Sequence, residues 1–213
     1  CTVGLTYQEG KFVNVDLVTE QHTSVSINYE NKLPEPLEAF KNVPEELISF
    51  KNVSVSFDEK PVLKDITWTI KRGTSWHLKG PNGAGKTTLL SMVTGDSTKG
   101  YGKELYLFGK KKGSGETVWE IKQKIGYFTS AMTERFDGMH DVQSMIISGL
   151  YDSVGLYQKP TTLEQARAEE WLALLELKQL SGARFRTLNE VQKRLILIAR
   201  AMIKHPPLLI LDE

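Results

Sequence analysis

The chain has 213 residues, 40% of them hydrophobic and 25% charged, the proportions of a globular protein with one sizeable core and one principal domain. A formal net charge of +1 offers no large basic footprint for nucleic acid, so a nucleic-acid partner is not indicated. No apolar run reaches the roughly eighteen residues of a direct membrane span, Leu195 to Ala199 being cut by Arg194 and Arg200, and the single cysteine, Cys1, excludes an internal disulfide.

Residues 1–46 hold two short alternating runs, around Phe12 to Val18 and Val25 to Tyr29, and then Pro34, Pro36 and Pro44 among acidic residues. The pattern predicts weak strands followed by a linker, with a boundary near Pro44 to Leu47. From Ile48 onward, Phe50, Val53, Val55 and Phe57 read as one strand, Lys60-Pro61 as a turn, and Leu63, Ile66, Trp68 and Ile70 as a second strand, an antiparallel β-region.

Ser75 to Lys79 is a short strand-like run ending at Gly80-Pro81-Asn82-Gly83-Ala84-Gly85-Lys86-Thr87-Thr88, which fits the spacing G-x-x-x-x-G-K followed by Ser or Thr. Glycines at these positions let successive backbone N–H groups converge on phosphate oxygens, where a Cβ would clash. Lys86 adds a mobile positive charge. Thr87 opens a helix running to Thr94 and closed by Gly95, so its hydroxyl is placed to ligate a divalent cation while the helix start, carrying about half a positive charge, faces the same anion. The candidate nucleotide-binding residues are therefore Gly80, Asn82, Gly83, Ala84, Gly85, Lys86, Thr87 and Thr88.

Strands are predicted at Glu104 to Phe108 and Lys124 to Phe128, separated by a polar turn from Gly109 to Gly115, with lysines 110–112 solvated, and by a short helix near Val118 to Lys122. Residues from about 131 to 188 change character into a helical insertion, with helices around Val142 to Leu150 and from Thr162 to Leu177. Thr162 and Gln165 are spaced as a capping box, and Leu163, Ala166, Trp171, Leu174 and Leu175 contribute to an apolar face, with Trp171 as core packing. A last helix is expected from Asn189 to about Lys204, opened by a second capping box of Asn189 and Gln192 and stopped by Pro206-Pro207. Leu208-Leu209-Ile210-Leu211 then reads as a fully buried parallel strand delivering Asp212 and Glu213 at its C-terminal end, where open α/β sheets place ligands. His22, His77, His140 and His205 show no metal-ligand spacing. The sheet is expected to continue past Glu213, so the domain reads as incomplete at its C-terminus.

Phosphate loop, helical insertion, a helix start bearing glutamine, and then an aliphatic strand ending in Asp-Glu is an order that resembles the ATP-binding cassette (ABC) ATPases over residues 47–213. The wording Gly80 to Leu90, Leu107-Phe108-Gly109, Gly113-Ser114-Gly115-Glu116-Thr117-Val118-Trp119 and Ile125-Gly126-Tyr127 is similar to the second cassette of the tandem molybdate-type, or photorepair, ATP-binding proteins. The resemblance implies an α/β fold with a P-loop core of mixed or parallel sheet, and makes residues 1–46 a linker or the tail of a preceding cassette. It implies ATP and Mg²⁺ as cofactors, with Phe57 stacking on adenine, Thr87 and Asp212 holding the metal, and Lys86 and Glu213 as catalytic residues. For Phe57, the shared odd-numbered face with Val53 and Val55 supports core packing equally well.

Two positions depart from the family. Ser130 stands where a metal-sensing glutamine is usual, and the signature loop reads Leu188-Asn189-Glu190-Val191-Gln192, with Val191 where glycine is usual. The implied partners are a second cassette, in the same polypeptide or as a homodimer, and a transmembrane permease, with the protein cytoplasmic and peripheral to the inner membrane face. The leading functional expectation is the ATP-hydrolysing component of a transport system. The alternative is a soluble tandem-cassette ATPase with a regulatory, ribosome- or nucleic-acid-related role, which Ser130 favours.

Overall fold

The computed structural model describes residues 2–8 and 11–16 as backbone and residues 33–136 and 139–212 with side chains; the expected run from Val25 to Tyr29 and the acid Glu213 lie outside the described residues. Two compact units result, one of Cys1–Ser26 and Asn42–Lys122, the other of Ile27–Lys41 and Gln123–Glu213.

In the first unit, β1 (Thr2–Gln8) and β2 (Lys11–Asp16) are antiparallel, followed by the long strands β3 (Glu46–Phe57) and β4 (Lys60–Lys71), then β5 (Ser75–Lys79), helix α1 (Lys86–Val93), the short strands β6 (Leu105–Leu107) and β7 (Lys110–Lys111), and helix α2 (Val118–Gln123). One sheet has the order β4-β3-β6-β7 with every pair antiparallel. The other has the order β2-β1-β5, in which β1 runs parallel to β5, a long-range pairing that the sequence did not announce.

The β3–β4 turn is Asp58-Glu59 rather than Lys60-Pro61. Both residues have positive φ, 46° and 65°, as a two-residue hairpin matched to the right-handed strand twist requires. Pro61 sits in β4 opposite Ser56, tolerated because β4 is an edge strand. Phe50 and Trp68 stack at 5.9 Å and Trp76 meets Trp68 edge-on at 5.6 Å, while Leu89 and Met92 of α1 and Leu105 of β6 are fully buried. Each such large side chain contributes about 1.5–3 kcal/mol of transfer free energy, so the helix that follows the phosphate loop is anchored by its buried face.

Lysines 110–112 are not one solvated run. Lys112 is buried, its ammonium 3.8 Å from the equally buried Glu116 carboxylate and above the Tyr101 ring at 5.1 Å. Its amide donates to the Leu105 carbonyl, which extends the β6–β7 ladder by one step.

The second unit contains β8 (Ile125–Thr129), α3 (Met132–Arg135), α4 (Val142–Ile147) continued by a 3₁₀ turn over Ser148–Leu150, α5 (Thr162–Leu174), α6 (Glu190–Met202) and β9 (Leu208–Asp212). β8 and β9 are parallel. The helices enclose a core of Phe136, Met145, Ile146, Trp171, Leu172, Phe185 and Ile196 among others. A Cβ on Gly149 would lie 1.9 Å from the Arg200 carbonyl oxygen, so glycine permits the close packing of the 3₁₀ turn on α6. Arg200 is buried there, donating from Nε to Ser148 Oγ at 3.1 Å and from Nη2 to the Ser153 carbonyl at 2.9 Å, with its guanidinium over Phe136. Burial depresses the Arg200 and Lys204 pKa values, and the Asp152 carboxylate opposes that shift in both.

The start of α5 differs from expectation by one residue. Thr161 is the N-cap and Glu164 completes the box, Thr161 Oγ accepting from the Glu164 amide and the Glu164 carboxylate accepting from the Thr161 amide. Leu163 accordingly faces solvent instead of the apolar side, and the helix ends at Leu174. β9 is also less enclosed than a fully buried strand, with Leu209 and Leu211 exposed.

Candidate functional site

The phosphate loop follows β5 and ends at Gly85, the N-cap of α1. Gly83 and Gly85 have φ of 82° and 90°, the left-handed region that favours glycine. At Gly85 space as well as conformation is decisive: a Cβ would stand 2.8 Å from Leu63 Cδ2 and 3.0 Å from the Val62 carbonyl oxygen. The loop is thus seated directly against β4, with a cradle that a side chain at position 85 would fill.

No side chain caps α1, and its first turn holds no acidic residue. The first amides of a helix lack intrahelical partners, and these open beside a loop whose only cation, Lys86, is half-buried. The Lys86 ammonium donates to the carbonyls of Gly80 at 2.6 Å and Pro81 at 3.0 Å, so the charge is held over the loop itself. Ala84 is buried, its amide bonding the Pro81 carbonyl at 3.2 Å, whereas Asn82, Gly83 and Thr87 are exposed and Thr88 is half-buried. Backbone donors, a glycine cradle and an ammonium held by loop carbonyls are the chemistry that suits a multiply charged anion.

Phe57 ends β3 opposite Lys60 and is 42% exposed. That settles it as a surface aromatic instead of a core residue. The pairing register shifts between Val55 and Ser56, so the alternation that would have put Phe57 on the same face as Val55 is broken there. Val62 and Leu63, which press on Gly85, lie in the same hairpin as Phe57. The Lys99 ammonium is 4.8 Å from the Phe57 ring centroid, a contact that nothing in the sequence pattern signals.

In the second unit Asp212 ends β9 opposite Thr129, and the Ser130 amide donates to the Asp212 carbonyl at 3.2 Å. The position expected to carry glutamine therefore lies beside the strand end bearing the acid, with Ser130 and Asp212 both half-buried. Gly126 lets β8 pass under α6, since a Cβ would meet the Ala201 carbonyl oxygen at 2.4 Å. At the start of α6, Asn189 Oδ1 accepts from the Gln192 amide at 2.9 Å and Gln192 Oε1 accepts from the Asn189 amide at 3.1 Å. Leu188 is buried, Glu190 is exposed and Val191 is 67% exposed. The phosphate loop and Phe57 belong to the first unit, and Ser130, the signature residues and Asp212 to the second.

No helix among the described residues is long and apolar enough to cross a membrane, and no cluster of three metal-type side chains occurs among them. Among the described histidines, His140 meets Tyr157 edge-on and His205 lies 5.8 Å from Trp171, while His77 is exposed.

The family model described as ABC transporter matches residues 63–213. Among curated proteins, the ABC transporter ATP-binding protein ModF of Escherichia coli (strain K12) is 46% identical over 160 residues, which are 75% of this chain and 33% of that protein. An uncharacterized ABC transporter ATP-binding protein, YmeB of Lactococcus lactis, is 33% identical over 76% of this chain and 61% of its own length. Another, from Schizosaccharomyces pombe, is 30% identical over 98% of this chain and 42% of its own length. This chain thus spans between a third and three fifths of these relatives. In fold it matches cbiO1 from Clostridium perfringens, part of the ABC transporter complex cbiONQ, with a TM-score of 0.67 at 21% identity, covering 80% of this chain and 66% of the other.

Proposed function

We propose, from the premise that this chain belongs to the ABC transporter family, that it binds Mg-ATP at its phosphate loop and hydrolyses it as the ATP-binding component of a transport system. The observation that carries this reading is the Gly85 cradle at the uncapped start of α1, with Lys86 held over the loop carbonyls. A triphosphate entering there replaces those carbonyls as the partner of the Lys86 ammonium and gains the free amides of the helix start. Phe57 offers the base an apolar ring on the hairpin that presses against the loop.

Hydrolysis of a phosphoanhydride needs placement and charge neutralisation more than covalent help from the protein. Lys86 and the loop amides supply the fixed positive field. Thr87 and Asp212 are the residues to hold Mg²⁺, an ion that keeps most of its waters and needs only one or two protein oxygens; when bound it neutralises charge on the phosphate oxygens. Glu213, next in sequence to Asp212, is assigned the water that attacks the terminal phosphate, as orienter or base. The start of α6 is assigned to the phosphates of a second cassette, and a transmembrane permease at the cytoplasmic membrane face is the partner on which the pair acts.

The test is Lys86→Ala in the full-length protein. ATP affinity measured by calorimetry should fall by at least tenfold with the thermal unfolding midpoint little changed. Equal affinity for wild type and variant would remove the phosphate loop from nucleotide binding.

A further inference from the structure

Among the described residues, three lysines lie over aromatic rings in distinct environments. Lys112 over Tyr101 is buried and locked by Glu116; Lys51 lies over Tyr106, whose hydroxyl is bonded to Glu104. Lys99 over Phe57 differs from Lys112 in being exposed and from Lys51 in lying over an exposed ring. It is exposed, its ring partner is exposed, and it makes no ion pair among the described residues. Its backbone is fixed: it lies in a 3₁₀ turn over Thr98–Gly100, with its amide donating to Ser97 Oγ at 3.2 Å and the turn closed by the Tyr101 amide on the Thr98 carbonyl at 3.1 Å. The stem is therefore anchored while the ammonium is free to leave.

We propose that Lys99 is a displaceable cover on the Phe57 ring, so that a nucleotide base must move its ammonium aside before it can stack there. The proposal rests on the reading of Phe57 as the base platform. Lysine and ring are both exposed, so a ligand arriving from solvent can compete for the space over the ring that the ammonium takes. A stacked base and an ammonium above the same ring face exclude each other, because both take the space within a few ångströms of the ring. A cation on an exposed ring is worth roughly a two- to fivefold equilibrium preference, against about a five- to hundredfold preference for a stacked base. The base wins, at reduced affinity, and an empty site keeps its exposed aromatic covered. Lys99 is not a catalytic residue; it acts only through access to Phe57.

The charge of Lys99 also attracts any polyphosphate, so its two effects must be separated. The affinities of ATP and of inorganic triphosphate are measured by calorimetry on the full-length protein for wild type, Lys99→Ala, Phe57→Ala and the double variant. The ratio of ATP affinity to triphosphate affinity isolates the base. Lys99→Ala should raise that ratio two- to fivefold, and the same substitution in the Phe57→Ala background should leave it unchanged. If Phe57→Ala lowers the ratio but Lys99→Ala does not raise it, the cover is refuted and the platform stands. If Phe57→Ala leaves the ratio at its wild-type value, the platform reading fails and the cover fails with it. A rise that persists without Phe57 also refutes the cover, by showing that Lys99 acts elsewhere. Circular dichroism melts of the exposed-site variants check that each is folded.

Discussion

A single missing side chain shapes the proposed phosphate site. Gly85 has φ of 90°, and a Cβ there meets both a side chain, Leu63 Cδ2, and a backbone oxygen, that of Val62. Alanine in the left-handed region costs about 1–2 kcal/mol, and the side chain can rotate away but the carbonyl is held in β4. Gly85→Ala should thus weaken ATP binding at least tenfold, and adding Leu63→Ala, which relieves only the movable half of the clash, should not restore it. Calorimetry on both variants checks this; wild-type affinity in Gly85→Ala would show that the close approach is not needed. The letters of the loop were legible in the sequence because they are a local pattern with a local cause. Phe57 was not decidable there, because its orientation depends on a register shift two residues earlier that no composition rule marks.

The helices of the second unit and the turn after β7 show the same division between local and non-local information. At α6, Thr187 with Glu190 has the same spacing as the pair that forms, Asn189 with Gln192, and at α5 both Thr161 with Glu164 and Thr162 with Gln165 have the right spacing. Structure selects the former, in which Glu164 also accepts from the Tyr151 hydroxyl. Lys112 was misjudged because a run of lysines says nothing about a buried carboxylate four residues on. That carboxylate has a consequence for acid stability. Burial works to raise the Glu116 pKa, but the amides of Gly113, Ser114 and Glu116 itself, with the Lys112 ammonium, outweigh it and hold the group below the ordinary glutamate range. Asp96 is likewise held low, burial being outweighed by Lys122, Thr94 and Lys112. A carboxylate depressed in the folded state stabilises fully above its unfolded pKa, and the contribution is lost as pH falls through the folded value. Glu116→Gln leaves a buried ammonium without its counter-charge and should cost about 3 kcal/mol at pH 7. Chemical denaturation should then show wild type losing more stability than the variant between pH 7 and the acid side of the carboxylate range. Parallel losses would mean that Glu116 titrates normally.

At the scale of the whole molecule, the sound phosphate loop and the altered α6 start lie in different units, and in a cassette pair each nucleotide is proposed to lie between one partner's loop and the other's α6 start. Asn189 and Gln192 satisfy each other, which leaves the Glu190 and Val191 amides as the donors that a facing phosphate can reach. Val191, exposed and β-branched, stands at that approach and keeps an anion further from the helix start than glycine would. The nucleotide on the partner's loop should therefore be held but slowly hydrolysed, while the nucleotide on Lys86 depends on a signature from the other cassette. In a tandem protein, whose pair consists of two different cassettes, one competent site and one slow site follow. Asn189→Ser combined with Val191→Gly in the full-length protein should raise ATP turnover per pair, up to about twofold if the two sites become equal. The gain should vanish when the partner's phosphate-loop lysine is replaced and persist when Lys86→Ala is introduced instead, because only the partner's loop faces this α6. Steady-state turnover of the double variant in each of the three backgrounds, compared with its own parent, decides the matter: no gain in a folded double variant would show that the helix start adjusts to Val191 and that both sites already work at the same rate.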